Sequence, residues 1–134
     1  MPCLIWFLWE NPVIERILLI EDTVSARSTL FATLSTISEV SRARSLLEAA
    51  AQCGQLNPKV IVADCPIEGE GGADVIAAIR EAECDKPLIL VSTETSAEAI
   101  AEFERQGAFV HLRKPVSEAD LLAAVWRAAD AEPG

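Results

Sequence analysis

Basic residues are scarce in this chain of 134: eleven lysines and arginines face twenty-one aspartates and glutamates, a formal net charge of −10. That deficit argues against nucleic acid or an anionic membrane as partner of the bulk surface, since both need clustered Lys and Arg. Metal ions and basic protein partners remain open. Histidine is limited to His111, set in an apolar stretch where packing is its ordinary role. The four cysteines, Cys3, Cys53, Cys65 and Cys84, form no C-x-x-C pair, which argues against common zinc and redox motifs. Reduced thiols packing as small hydrophobes in a cytoplasmic protein are the expectation. Repeats and low-complexity segments are lacking. The apolar run 3–9 is too short to span a bilayer, and it lacks the basic flank and length of a signal peptide.

What is present is a core. Hydrophobic residues make up 51% of the chain, enough for one ordinary domain and too many for global disorder. Short apolar runs recur at 17–20, 60–63, 88–91 and 109–112, with a weaker one at 39–43. Their apolar positions are successive rather than alternating, as in strands covered on both faces. Between them lie helical patterns. Thr23 is placed to cap a helix carrying Val24, Leu30, Phe31 and Leu34. Ser45 caps a short helix over 46–52 that stops near Gly54. Gly72 precedes a helix with Val75, Ile76 and Ile79. Ser96 and Ser117 open the last two. Strand–helix repeated five times predicts an α/β sandwich around a parallel sheet, with ligand chemistry outside the carboxyl ends of the strands.

Those ends carry Glu21 and Asp22, then Asp64, Ser92 with Thr93, and Lys114 before Pro115. Three carboxylates on one sheet edge repel by roughly 4 kcal/mol per close pair at an effective dielectric of about 20. A hard divalent cation resolves that repulsion, because Mg²⁺ favours carboxylate and carbonyl oxygens. The acid pair therefore predicts a metal site.

The ordered set ILLIED, VIVAD, ILVST and HLRKP, with Gly72 and Gly107, closely resembles the receiver domain of bacterial two-component response regulators. The likeness covers about residues 15 to 130. It implies a doubly wound, flavodoxin-like five-stranded sheet of strand order 2-1-3-4-5. It implies Asp64 as phospho-acceptor, and Glu21, Asp22, Asp64 and the Pro66 carbonyl around Mg²⁺. Lys114 pairs with the phosphoryl oxygens, Ser92 moves toward them, and His111 holds the aromatic switch position. The Lys114–Pro115 bond is expected to be cis. The phosphoryl donor would be a histidine kinase or histidine phosphotransfer protein. A protein partner or second copy would dock on residues 96–129, and the arm over 1–15 is another route to a homodimer. Residues 16–130 are then the receiver and 131–134 a tail. The resemblance implies neither nucleic acid nor membrane as a partner. The short tail leaves no room for an output domain within the chain.

This sequence departs from the pattern after Asp64, where it reads CPIEGEGG. Pro66 offers no N–H, Glu68 fills the usual proline slot, and the glycines predict a flexible loop. Thr93 is bulkier than the residue often found there. Two alternatives remain. One is a protein-binding module of this fold that works without phosphorylation. The other is an FMN carrier, disfavoured because EDTVSARST has no glycine to cradle phosphate.

Overall fold

The computed structural model describes residues 13–22 and 28–131. Most of the predicted arm, and Thr23 with it, lie outside that range. Ten elements alternate along the described chain: β1 (Arg16–Ile20), α1 (Thr29–Leu34), β2 (Glu39–Ala43), α2 (Leu46–Leu56), β3 (Val60–Asp64), α3 (Gly72–Glu81), β4 (Leu88–Ser92), α4 (Ala97–Arg105), β5 (Val110–Arg113) and α5 (Glu118–Asp130). The strands form one sheet in the order β2-β1-β3-β4-β5, all parallel, as expected.

Successive apolar residues do mark strands buried on both faces. Ile17, Leu18, Leu19 and Ile20 are each at most 1% exposed. The pleat sends alternate side chains to opposite faces. Leu18, Ile20, Ile61, Ala63, Leu88 and Leu90 pack with Val75, Ile76, Ile79 and Phe103 beneath α2, α3 and α4. Ile17, Leu19, Val60, Val62, Ile89 and Val91 pack with Leu34, Leu121, Val125 and Trp126 beneath α1 and α5. The same alternation, carried past the strand ends, decides which face each functional side chain serves.

Helix starts follow local hydrogen bonding. Ser45, Ser96 and Ser117 cap α2, α4 and α5 by accepting an N–H from the first turn, as predicted. Ser28 does the same for α1, accepting from Phe31 N. Helix α2 runs through Gly54 instead of stopping there. It ends at Asn57, whose left-handed backbone (φ 49°, ψ 58°) closes the last turn, a conformation that asparagine tolerates.

Two further expectations are corrected. Cys53 and Cys84 are joined in a disulfide across 31 residues, so reduced thiols throughout was wrong. Cys65 is free and buried. Spacing along the chain gave no hint of the pair, because the fold brings the last turn of α2 beside the turn after α3. The loop after Asp64 is not a flexible run either. Ile67 and Glu70 exchange both backbone hydrogen bonds (3.1 and 2.8 Å), with Glu68 (φ 54°) and Gly69 (φ 78°) between them. That is a two-residue hairpin turn of the kind needing positive φ at both central positions. Ile67 anchors it, fully buried in the core.

Gly72 serves packing rather than flexibility. A Cβ there would stand 2.7 Å from Leu90 Cδ2 and 2.8 Å from the Phe103 ring, whereas Gly54 has no heavy atom within 4 Å of that position. Gly72→Ala is therefore expected to destabilise the fold by about 1–3 kcal/mol through overpacking. Gly54→Ala should leave stability unchanged or raise it by up to about 1 kcal/mol. Urea unfolding midpoints measure both, and equal shifts would contradict this packing account.

Candidate functional site

The carboxyl edge of the sheet gathers the predicted side chains but sorts them between the two faces. Lys114 Nζ lies 2.5 Å from Asp64 Oδ1. It approaches as a charge rather than along a hydrogen-bond line, and donates instead to the Cys65 carbonyl at 2.8 Å. Asp64 Oδ1 is buried and paired with that ammonium, with no further hydrogen-bond donor among the described residues. Beside it opens a cleft of about 520 Å³ lined by Asp64, Lys114, Thr93, Val91, Thr29 and Leu30, among others. A second cleft of about 410 Å³, on the Ser92 and Phe103 side, shares Thr93 with the first. Thr93 thus lies on the approach from both sides.

The acid pair is split. Glu21 is only 4% exposed. Its Oε1 takes Arg42 Nη2 at 2.8 Å, and its Oε2 accepts from Ser28 Oγ at 3.0 Å. Asp22 is exposed, and its Oδ2 accepts the Glu68 N–H at 2.7 Å. Glu68 in turn takes the Leu46 N–H at the start of α2, at 3.2 Å. The hairpin turn at Glu68 and Gly69 is what presents that amide to Asp22. Adjacent carboxylates therefore sit in different surroundings, one neutralised from the neighbouring strand, the other held by an amide and water.

Among the described residues, no three His, Cys, Asp or Glu side chains stand together as a metal-holding cluster. The donor chemistry at Asp22 and Asp64 still fits a hard cation such as Mg²⁺, which takes a few carboxylates and keeps several waters. Glu21 differs, since each of its oxygens already has a donor.

Ser92 faces away from Asp64, toward α4. It is buried, and its Oγ lies 2.6 Å from His111 Nε2. The Glu94 N–H donates to the same Oγ at 3.1 Å. The hydroxyl has one hydrogen and two acceptor lone pairs, so it can hold the Glu94 N–H and still bond to the imidazole, whose tautomer sets the direction of that bond. The His111 ring also meets the Phe103 ring, centroids 5.6 Å apart. Burial lowers the His111 pKa, against a smaller opposing pull from the Glu94 charge. Cys65, next to Asp64, is no rival nucleophile. Burial, then the Asp64 charge, push its thiol up to about 12, with Lys114 opposing.

The Lys114–Pro115 peptide is cis, as the resemblance implied, and so is Cys65–Pro66, which sequence reasoning missed. Arg42, Ser28 and the Glu68 amide were also missed. Arg42 had a readable signal. Alternation places it on the same face as the packed Val40, where an arginine needs an anionic partner.

The model of the response regulator receiver domain family matches residues 17–126. A C4-dicarboxylate transport transcriptional regulatory protein, DctD of Pseudomonas aeruginosa, is 31% identical over 117 residues, 84% of this chain but 25% of that protein. The chain thus spans about a quarter of that relative's length. The chemotaxis response regulator CheY4 of Vibrio cholerae superposes with a TM-score of 0.72 at 28% identity, covering 86% of this chain and 98% of that one. The beryllofluoride-activated NtrC4 receiver domain dimer superposes at 0.74 with 28% identity, covering 86% and 96%.

The lone histidine permits a direct check on its buried setting. A lowered folded-state pKa means the unfolded chain binds the proton more readily. His111 therefore favours the native state above the ordinary histidine range and loses that contribution as pH falls through its folded pKa. Its single imidazole NMR signal should titrate with a midpoint below about 6.5. A midpoint at or above that value would contradict burial as the dominant influence on the ring.

Proposed function

Because this chain belongs to the response regulator receiver domain family, we propose that it is a phosphoryl-accepting switch in which Asp64 takes a phosphoryl group from a histidine kinase or histidine phosphotransfer protein. The observation that carries this reading is the Asp64–Lys114 ion pair beside an open cleft.

An Asp64 oxygen attacks the phosphorus in line. The P–N bond to the donor imidazole breaks, and an acyl phosphate forms. Transfer of this kind needs positioning and charge neutralisation more than covalent help. Lys114 already stands at the attacking carboxylate and can pass to a phosphoryl oxygen. Mg²⁺, held by Asp22, Asp64 and the Pro66 carbonyl, would supply the remaining neutralisation when bound, whereas Glu21, expected to act through water, is engaged by Arg42 and Ser28. Ser92 donates its hydroxyl hydrogen to a phosphoryl oxygen, and turning toward Asp64 breaks its contact with His111.

That release couples the site to a surface. His111 touches Phe103 of α4, so a freed imidazole biases how α4 packs on β5. The responsive face is α4, β5 and α5, within residues 96–129, where a downstream protein or a second copy would dock. Exposed Phe109 at 38% gives that face an apolar contact point. The beryllofluoride-activated NtrC4 receiver domain is a dimer, which supports a second copy as one partner by likeness. Residues 1–15 remain a proposed arm outside the receiver unit proper. Among the described residues, no helix is long and apolar enough to cross a membrane.

A second reading is a protein-binding module that works without phosphorylation, and the engagement of Glu21 by Arg42 is the observation that favours it. Intact-protein mass after incubation with a small phosphodonor and Mg²⁺ separates the two. Phosphoryl acceptance predicts a gain of one phosphate that requires Mg²⁺ and is absent in Asp64→Ala. A folded protein that gains nothing from a proven donor, and binds no fluoroberyllate, would be the unphosphorylated module.

A further inference from the structure

The buried half of the acid pair is fixed by interactions that the phosphoryl chemistry does not use. Several described residues hold Arg42. Its Nη2 sits on Glu21 at 2.8 Å. Its guanidinium carbon lies 4.5 Å from the centroid of the Phe31 ring in α1. Its backbone carbonyl accepts Gln52 Nε2 of α2 at 3.1 Å. Ser28, which donates to Glu21 Oε2, is itself fixed as the cap of α1 through Phe31 N at 3.1 Å. Glu21 N–H is tied to the Ala43 carbonyl at 3.0 Å. Arg42 of β2 and Ser28 at the start of α1 thus converge on one carboxylate, and turning it would break the ion pair of a half-buried guanidinium, a costly change.

We propose that Arg42 is a positioning residue that withholds Glu21 from the metal site and thereby weakens Mg²⁺ binding. This rests on the phosphoryl-acceptor reading of Asp64. The cation then depends on Asp22 and Asp64, in the field of a fixed guanidinium. A Mg²⁺ ion near Glu21 meets a resident positive charge that a free carboxylate would not bring. The chain's own arginine has taken over part of the neutralisation that the acid pair requires.

Calorimetric Mg²⁺ titration of wild type, Arg42→Met, Arg42→Met/Glu21→Gln and Asp64→Asn tests this. Methionine keeps an apolar stem against Phe31 and removes the charge. Arg42→Met is expected to bind Mg²⁺ about tenfold more tightly, equal to about 1.4 kcal/mol. The double variant, which gains no free carboxylate, stays within about threefold of wild type, since a twofold to threefold change is under 1 kcal/mol. The melting temperature of Arg42→Met should also rise more on adding Mg²⁺ than that of wild type, because a tighter ligand stabilises more.

A purely structural Arg42 gives the opposite sign, weaker binding in Arg42→Met, and that result or unchanged affinity overturns the proposal. If Arg42→Met does not fold without metal, Arg42→Lys decides. It keeps the charge but gives up the fork and the stacking, and binds Mg²⁺ more tightly than wild type if the proposal holds. Equal or weaker binding there overturns it. Binding that survives Asp64→Asn places the ion elsewhere and fails the phosphoryl-site reading as well. Binding lost in Asp64→Asn with no gain in Arg42→Met fails this proposal alone. Absence of binding in wild type and Arg42→Met alike fails both.

Discussion

A carboxylate at the end of a buried strand must be neutralised or solvated, and the site is organised around three that meet this requirement differently. Glu21 is neutralised by an arginine from the neighbouring strand. Asp22 stays in water and takes a backbone amide. Asp64 has a lysine charge beside it but no aligned hydrogen bond. Glu21 and Asp22 follow the end of β1 and meet different partners. Asp64 emerges on the α1 side with its cleft, and Ser92 on the α4 side with His111.

That separation gives the proposed switch its physical basis. Ser92 Oγ and His111 Nε2 are bonded across 2.6 Å. A phosphoryl group on Asp64 that draws the hydroxyl toward itself has to break that contact. Charge brought to one face is thus converted into a lost bond on the other, where α4 packs. A histidine in this position differs from a purely apolar ring, because its Nε2 can hydrogen-bond the hydroxyl.

Much of this was legible in the sequence, for a definite reason. Strands covered on both faces write themselves as unbroken apolar runs, and helices capped by serine announce their starts. The run 17–20, Ser45, Ser96 and Ser117 could be read that way. Parallel topology then placed Asp64 and Lys114 on one edge. What could not be read depends on contacts between distant segments. The Cys53–Cys84 link joins parts whose approach is set by helix packing. The turn at Glu68 and Gly69 looked like glycine-rich slack, because its order comes from Ile67 buried in a core that only the folded chain assembles. The Arg42–Glu21 pair spans 21 residues and follows from the register of β1 on β2, in which Leu19 stands beside Arg42 and Ile20 beside Ala43. The metal expectation for the acid pair rested on charge and on the family resemblance, and neither showed that Arg42 also stands against Glu21.

The measurement that tests the central claim most directly is a crystal structure with fluoroberyllate and Mg²⁺ bound. Phosphoryl acceptance predicts the fluoroberyllate on an Asp64 oxygen, Lys114 Nζ on a fluorine, and the Ser92 hydroxyl turned from His111 toward the ligand. An Asp64 carboxylate left bare under saturating reagent, with Ser92 still on His111, would contradict it.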